Sequence, residues 1–208
     1  MSERKLTKAE ERRKRTFELL EVQMQEKGYQ KVELKLDALK ANLLGVAVAL
    51  PFIVIEIVIY VILYGNPFMQ NHNELLFFVA MFVGIVVHEL IHGITWASFA
   101  EKGWKSIEFG IIWKYATPYC TCNEPMKKRP MLLAAIMPTI VLGLLPAVSA
   151  IVFAQSFLLL FSIIMIIGGG GDMLIIGNIL KYHSKAGELL YLDHPYEVGT
   201  IVFEKNNA

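Results

Sequence analysis

The sequence is poor in charged residues and has no marked excess of either sign of charge. Charged side chains make up 19% of the 208 residues, against about 25% in ordinary soluble domains. Hydrophobic residues make up 55%, and the mean hydropathy is +0.47. The formal net charge is only +1, and no basic patch suggests a nucleic-acid surface, so we expect no nucleic-acid partner. This balance predicts a membrane protein rather than a soluble protein with a large core.

Cysteine is nearly absent, and no repeats or low-complexity linkers are evident. The only two cysteines, Cys120 and Cys122, form one C-x-C pair, whereas a zinc knuckle needs a second pair or added histidines. We expect them on the reducing side of the membrane, as reduced thiols beside a site, as a regulatory or auxiliary metal contact, or as a switchable pair. Residues 1–40 are highly charged and lack the apolar core of a signal peptide, so none is expected.

Four long apolar stretches dominate the rest of the chain. They cover residues 43–64, 75–99, 131–153 and 157–180, and each has at least 22 residues. At a rise of about 1.5 Å per residue, this length crosses the roughly 30 Å hydrocarbon layer of a bilayer. Pro51, Pro138 and Pro146 are expected to kink these helices without preventing them. The sequence therefore predicts a mainly α-helical membrane protein with four transmembrane helices.

The placement of lysine and arginine predicts the orientation of these helices. Eleven of the twenty lie in residues 1–40, six lie in 100–130, and three lie after residue 180. By the positive-inside rule, both termini and the 100–130 loop should be cytoplasmic. We therefore expect a cytoplasmic N-terminal segment (1–40), a four-helix membrane domain that includes this loop (41–180), and a cytoplasmic tail (181–208).

Local patterns in the cytoplasmic parts predict three elements. Residues 8–27 have the apolar side of an amphipathic helix. Residues 31–36 alternate polar and apolar side chains, which indicates a short strand. Residues 105–120 are rich in aromatic and β-branched residues, with a glycine and a proline as breaks. We expect them to form a β-hairpin beside the second apolar helix.

The second apolar stretch contains three ionisable residues, His88, Glu89 and His92. Helical residues four apart share a face, so both imidazoles can reach one metal ion. Glu89 lies one step around the helix, where it can act as general base toward a metal-bound water, as in H-E-x-x-H zinc peptidases. Because unpaired polar groups are costly in a membrane, a purely structural role is the weaker alternative to a zinc site.

A catalytic zinc needs a third protein ligand, and the other apolar stretches offer two carboxylates, Glu56 and Asp172. Counted from the cytoplasmic helix ends, His88 and His92 should lie about 15 and 9 Å deep. Asp172 should lie about 12 Å deep and Glu56 about 20 Å deep, so only Asp172 matches the histidines. The four glycines 168–171 would admit a neighbouring helix or loosen the backbone. Glu56 is expected to serve packing, a hydrogen bond or a water contact.

Four patches of the sequence together resemble a known group: HELIHG (88–93), TPYCTCNEP (117–125), GGGGD (168–172) and DHP (193–195). They are similar to the small bacterial putative zincin peptidases, a family that resembles the site-2-protease clan of intramembrane zinc metalloproteases. The resemblance implies a Zn2+ site made by His88, His92 and Asp172, with Glu89 as the catalytic base. Met173 stands where site-2 proteases usually have a glycine after the metal-binding aspartate.

The expected function is that of a zinc-dependent intramembrane endopeptidase, which hydrolyses peptide bonds in or near the membrane-spanning segments of a protein substrate. The alternative is a membrane protein that binds or transports metal, or an inactive peptidase relative that binds membrane helices. The expected partners are a membrane protein substrate and the lipid bilayer, at the plasma membrane of a bacterium. The 105–120 hairpin would hold the substrate as an added strand or cover the cytoplasmic mouth of the site.

Overall fold

The structure, a computed structural model, describes residues 8–69, 73–112 and 117–206. Within these ranges the chain is mainly helical, with one three-stranded and one two-stranded sheet. The elements are, in chain order, α1 (Lys8–Glu26), β1 (Gln30–Lys35), α2 (Ala38–Tyr64), α3 (Glu74–Phe99), β2 (Ile107–Ile112), β3 (Thr117–Cys122), α4 (Lys128–Pro138), α5 (Leu145–Phe153), α6 (Ser156–Gly168), α7 (Gly170–Lys181), β4 (Glu188–Asp193) and β5 (Gly199–Lys205).

Three of the described helices are long and apolar enough to cross a membrane. They cover Lys40–Tyr64, Glu74–Phe99 and Lys128–Phe153, and the last consists of α4 and α5 joined by a π-helical segment, Thr139–Leu144. Helices α6 and α7 meet at an angle of 46° and would together make a fourth, broken span. The prediction of a mainly helical chain with long apolar helices is confirmed, and the fourth apolar stretch is two helices rather than one.

Proline and glycine account for the irregular helices. Within the third apolar helix, the N–H of Leu145 donates to the carbonyl of Ile140, five residues back, just before Pro146. Pro146 has no N–H to continue the α-helical hydrogen bonds, so a π-helical turn just before it costs little stability. Gly169 lies at the junction of α6 and α7, where four consecutive glycines each disfavour helix by roughly 1 kcal/mol relative to alanine. Pro51 leaves α2 unbroken.

Polar caps mark where the first two apolar helices begin. The Asp37 side chain accepts a hydrogen bond from the N–H of Lys40 at 3.0 Å, at the start of α2. The Asn73 side chain does the same for the N–H of Leu76 at the start of α3. Helix α2 ends at Gly65, whose φ of 81° suits glycine. The Asp37 and Asn73 side chains each satisfy a backbone N–H at a helix start that the helix itself leaves without a partner.

The two ends of the chain form one sheet. Strand β5 lies between β1 and β4 and is antiparallel to both, with Val32 opposite Val202 and Leu190 opposite Phe203. The predicted strand 31–36 is therefore present as β1, whereas β4 and β5 arise from residues for which the sequence suggested only a tail. Helix α1 packs its apolar side on this sheet, so that Phe17 is buried against Phe203. We call α1 and the β1–β5–β4 sheet the cap.

The predicted hairpin is present as β2 and β3, which pair antiparallel with Phe109 opposite Cys120; its turn, 113–116, lies outside the described residues. The hairpin packs directly on α3, because a Cβ on Gly93 would lie 2.6 Å from the Phe109 ring and 3.3 Å from Cys120 Sγ. A backbone bridge between Met126 and Tyr191 ties the loop after β3 to the cap. The hairpin thus lies between the H-E-x-x-H helix and the cap.

Candidate metal centre

Helix α3 holds His88 and His92 one turn apart on the same face. The helix is continuous from Glu74 to Phe99, so the four-residue spacing brings the two Nε2 atoms to 3.2 Å from each other. His92 is buried, and 12% of the His88 side chain is exposed. The expected juxtaposition of the two imidazoles is therefore present.

Asp172 joins the two histidines from the fourth apolar stretch. It lies in the first turn of α7, and its Oδ2 is 3.2 Å from His88 Nε2 and 3.4 Å from His92 Nε2. Among the described residues, His88, His92 and Asp172 are the group of three whose ligand atoms lie close enough together to hold one metal ion. The structure thus brings together the three residues that the sequence proposed as ligands.

The glycines before Asp172 permit the close packing that places it there. A Cβ on Gly170 would lie within 2.9 Å of three backbone atoms of Gly45 in α2, so the two helices touch backbone to backbone. A Cβ on Gly169 would collide with the Thr139 hydroxyl. Both roles suggested for the glycine run are present, because the helix bends at Gly169 and packs closely at Gly170.

The geometry of the three residues fits a zinc ion. With zinc–ligand distances of about 2.0–2.1 Å, neighbouring ligands of a tetrahedral ion lie about 3.3–3.4 Å apart, close to the three separations of 3.2, 3.2 and 3.4 Å. His92 Nδ1 lies 2.8 Å from the carbonyl oxygen of Ala134. A carbonyl only accepts, so Nδ1–H donates and the Nε2 lone pair faces the other two residues. Two nitrogens and one carboxylate would leave the fourth position for water.

Glu89 lies beside this group and is held by the hairpin. Its partly buried carboxylate accepts a hydrogen bond from the backbone N–H of Cys120 in β3. It also lies within electrostatic range of both histidines and Asp172. The residue expected to act as general base is therefore next to the candidate ligands, while its orientation depends on a strand outside α3.

Glu56 lies outside the group of candidate ligands. It is buried, with 5% of its surface exposed, and its Oε2 lies 2.9 Å from the hydroxyl of Ser162 in α6. The sequence had suggested packing, a hydrogen bond or a water contact for Glu56, and the structure contains the hydrogen bond.

The two cysteines are buried thiols rather than reactive ones. Burial raises the pKa of Cys122 to about 11 and raises the pKa of Cys120 further, with the nearby Glu89 carboxylate adding to the latter. Cys122 Sγ donates a weak hydrogen bond to the carbonyl of Glu124. Of the three roles expected for the cysteines, the raised pKa values favour reduced thiols beside the site, because the thiolate is the form that binds metal and reacts.

Three further residues near the site were not expected from the sequence. The Trp96 ring stacks on His92 at 5.3 Å, and the Ala134 carbonyl orients the same imidazole. Asp193 of the cap is hydrogen-bonded to Thr121 of β3, and burial raises the pKa of its carboxyl to about 6. Asp193 belongs to the DHP patch, which contributed only to the family resemblance. Trp96 follows His92 at the same four-residue spacing as His92 follows His88, which could have indicated a shared face.

A comparison with protein families gives one match. Residues 81–186, about half of the chain, match the model of the family described as "Putative zincin peptidase". The matched region contains most of α3, the β2–β3 hairpin and α7, and therefore His88, Glu89, His92 and Asp172. No curated protein and no solved structure matches the chain.

Proposed function

The chain belongs to the putative zincin peptidase family, and we propose that it is a zinc-dependent intramembrane endopeptidase. The observation that carries the proposal is the triangle of His88, His92 and Asp172 with Glu89 beside it. This triangle lies within helices long and apolar enough to cross a membrane. The family supports a zinc peptidase, and the apolar helices support a peptidase that works inside the bilayer.

In this proposal the bilayer surrounds the four apolar helices, with α6 and α7 forming one broken span. Large aliphatic and aromatic side chains on their outer faces support this placement, with Ile62 76% exposed and Phe82 70% exposed. The distribution of lysine and arginine supports a cytoplasmic position for both termini and the hairpin. The cap and the hairpin would then lie on the cytoplasmic side of the metal centre.

When bound by His88 Nε2, His92 Nε2 and Asp172 Oδ2, zinc would polarise the scissile carbonyl and make a water molecule more acidic. Glu89 would accept a proton from the attacking water and deliver it to the nitrogen of the leaving peptide. Its carboxylate is held toward the site by the Cys120 N–H. The Ala134 carbonyl would keep the His92 ring in the orientation that leaves Nε2 free.

The substrate of this reaction must be locally unwound, because a peptide carbonyl within a transmembrane helix is hydrogen-bonded in the helical ladder. We propose that the β2–β3 hairpin receives the unwound segment as an added strand. The position of the hairpin supports this role, because Phe109 and Cys120 pack on α3 at Gly93 and the Cys120 N–H contacts Glu89. The partner would be a membrane protein with a segment able to become extended near its cytoplasmic end.

The test separates zinc binding from catalysis. Purified Glu89→Gln should retain one zinc per chain, because Glu89 is not a ligand, and should cleave nothing; Asp172→Ala should lose zinc. Glu101→Gln, in the exposed loop after α3, is the matched control and should behave as wild type. Membrane proteomics that compares wild type with Glu89→Gln should reveal the substrate as a protein that accumulates uncut.

Two results would contradict the proposal. Full zinc occupancy in Asp172→Ala would show that Asp172 is not a ligand. Metal transport that survives in Glu89→Gln, together with no cleavage by the wild type, would instead support a metal carrier.

A further inference from the structure

The membrane-spanning helices contain one buried acid that the proposed reaction does not use. Glu56 faces α6 from the middle of α2, with 5% of its surface exposed. Its Oε2 lies 2.9 Å from Ser162 Oγ, and its Oε1 has no hydrogen-bond partner within the described residues. An ionisable group buried at membrane depth is costly, so its retention calls for a physical reason.

The hydrogen bonds around Ser162 bear on the protonation state of Glu56. Ser162 Oγ lies 2.7 Å from the Leu159 carbonyl as well as 2.9 Å from Glu56 Oε2. A hydroxyl carries one hydrogen, and a carbonyl can only accept. If the serine hydrogen is donated to Leu159, the second contact needs a hydrogen from Glu56. A neutral Glu56 that donates to Ser162 satisfies both contacts with separate hydrogens, whereas a carboxylate would share the single serine hydrogen with the Leu159 carbonyl.

The surroundings of Glu56 also favour the neutral form. The described part of the chain contains no ion pair to Glu56, and the side chains of Ile53 and Tyr60, which flank it on α2, are themselves buried. An ionised carboxylate there would be an unpaired charge with one hydrogen-bond donor, which is strongly unfavourable. A neutral acid keeps one donated hydrogen bond and leaves only an uncharged oxygen without a partner.

Glu56 contacts the arm of the bent span that does not carry Asp172. Helix α2 contacts α7 through Gly45 and Gly170, two residues before Asp172, and contacts α6 through the Glu56–Ser162 hydrogen bond. The bend at Gly169 lies between these two contacts. Helix α2 therefore holds both arms of the bent span, and the orientation of α6 relative to α2 influences where α7 presents Asp172.

We propose that Glu56, as a neutral acid donating to Ser162, is a positioning residue that holds the bent span so that Asp172 reaches His88 and His92. This role rests on the proposed zinc site, because it acts through a ligand of that site. It predicts that a side chain able to donate the same hydrogen bond can replace the acid. Glutamine has that ability, whereas leucine does not.

The experiment measures zinc affinity of the full-length protein in lipid nanodiscs, by competition with a chelator. Glu56→Gln should bind zinc as wild type does, because its amide donates to Ser162. Glu56→Leu and Ser162→Ala should each bind zinc about three- to tenfold more weakly, the range expected for one hydrogen bond. Ser149→Ala is the matched control: its hydroxyl donates to the Leu145 carbonyl within the same helix, so its loss should leave zinc affinity unchanged.

Infrared spectroscopy tests the protonation state without any zinc. The difference spectrum between wild type and Glu56→Gln at neutral pH should contain the C=O stretch of a protonated carboxylic acid. A carboxylate band in its place would overturn the proposal, as would a Glu56→Gln variant that loses zinc to the same extent as Glu56→Leu. Wild-type protein that binds no zinc would overturn the proposed function, and the positioning role with it, while the infrared band would still identify the state of Glu56.

Discussion

The helical region, α2 to α7, and the cap differ in which side chains they bury and which they expose. In the helical region large apolar side chains such as Ile62 and Phe82 are exposed, while the polar residues His92 and Glu56 are buried. In the cap, by contrast, apolar side chains of the sheet such as Ile201 and Phe203 are buried. Its charged residues form ion pairs, such as Lys31 with Glu21 at 2.7 Å and Lys35 with Glu197 at 3.0 Å.

The contrast is the one expected if, as proposed, lipid surrounds the helical region and water surrounds the cap. Burial of apolar surface stabilises a protein in water, which suits the cap, whereas helices in lipid gain no such term and associate through close packing and hydrogen bonds. The Gly45–Gly170 contact and the Glu56–Ser162 hydrogen bond are interactions of this second kind. The candidate metal centre lies in the helical region. The cap packs on its surroundings through the hairpin and also directly, since Trp96 and Ala134 share a buried cluster with Tyr191 and Val202.

The largest expected effect concerns the core of the cap. Phe203→Ala removes a ring that is 1% exposed and should destabilise the cap by about 3–5 kcal/mol. Hydrogen exchange of the β1, β4 and β5 amides should become much faster. Phe78→Ala, which truncates a 70% exposed ring on α3, is the control and should change exchange little. Equal effects of the two variants would contradict the contrast between the regions.

The second-largest difference between the helical region and the cap should come from a charge placed on an exposed surface. Leu50→Lys lies near the middle of α2, where the leucine is 54% exposed, and should cost about 2.5–3.5 kcal/mol of membrane insertion. Leu19→Lys, at a 69% exposed position of α1, should change stability by no more than about 0.5 kcal/mol. The fraction of each variant that resists alkaline extraction from membranes measures this difference. Normal insertion of Leu50→Lys would argue against α2 as a span.

Close packing in the helical region can be tested by adding single methyl groups. Gly170→Ala would place a Cβ against the Gly45 backbone and should cost about 1–3 kcal/mol of stability, together with weaker zinc binding. Gly171→Ala is the matched control, since a Cβ there meets no atom within 4 Å. Thermal unfolding in detergent and chelator competition check both variants. A fully tolerated Gly170→Ala would show that α2 and α7 are not in backbone contact.

The smallest effect should come from an exposed ion pair between the cap and the hairpin. Arg12 Nη2 lies 3.2 Å from Glu108 Oε2, and the arginine side chain is 70% exposed. An exposed pair of this kind contributes about 0.2–1 kcal/mol and is screened by salt. A double-mutant cycle with Arg12→Ala and Glu108→Ala should therefore give a small coupling energy that declines at high salt. A coupling of several kcal/mol, or one that salt leaves unchanged, would contradict the exposed position of this pair.

The elements that sequence reasoning anticipated are those specified by residues close together in the chain. The apolar helices followed from runs of apolar residues, and the hairpin followed from residues 105–120. Strands β4 and β5 were missed because β5 pairs with β1, about 170 positions away in the chain, and no local pattern reveals such a partner. The Ala134 carbonyl was missed as a contact of His92 for a related reason, since α3 and α4 meet only in the folded chain. Trp96 was missed although its four-residue spacing from His92 is a local signal.

The sequence alone determined that His88 and His92 share a face, because helix geometry relates residues four apart whatever surrounds them. It also determined which segments are apolar, because hydrophobicity belongs to the residues themselves. The tertiary structure decided that Asp172 completes the group, through a bend at Gly169 and the contact of Gly170 with Gly45. It also decided that Glu56 meets Ser162 rather than the histidines. Those outcomes depend on how separate helices pack, and that information is distributed over the whole chain.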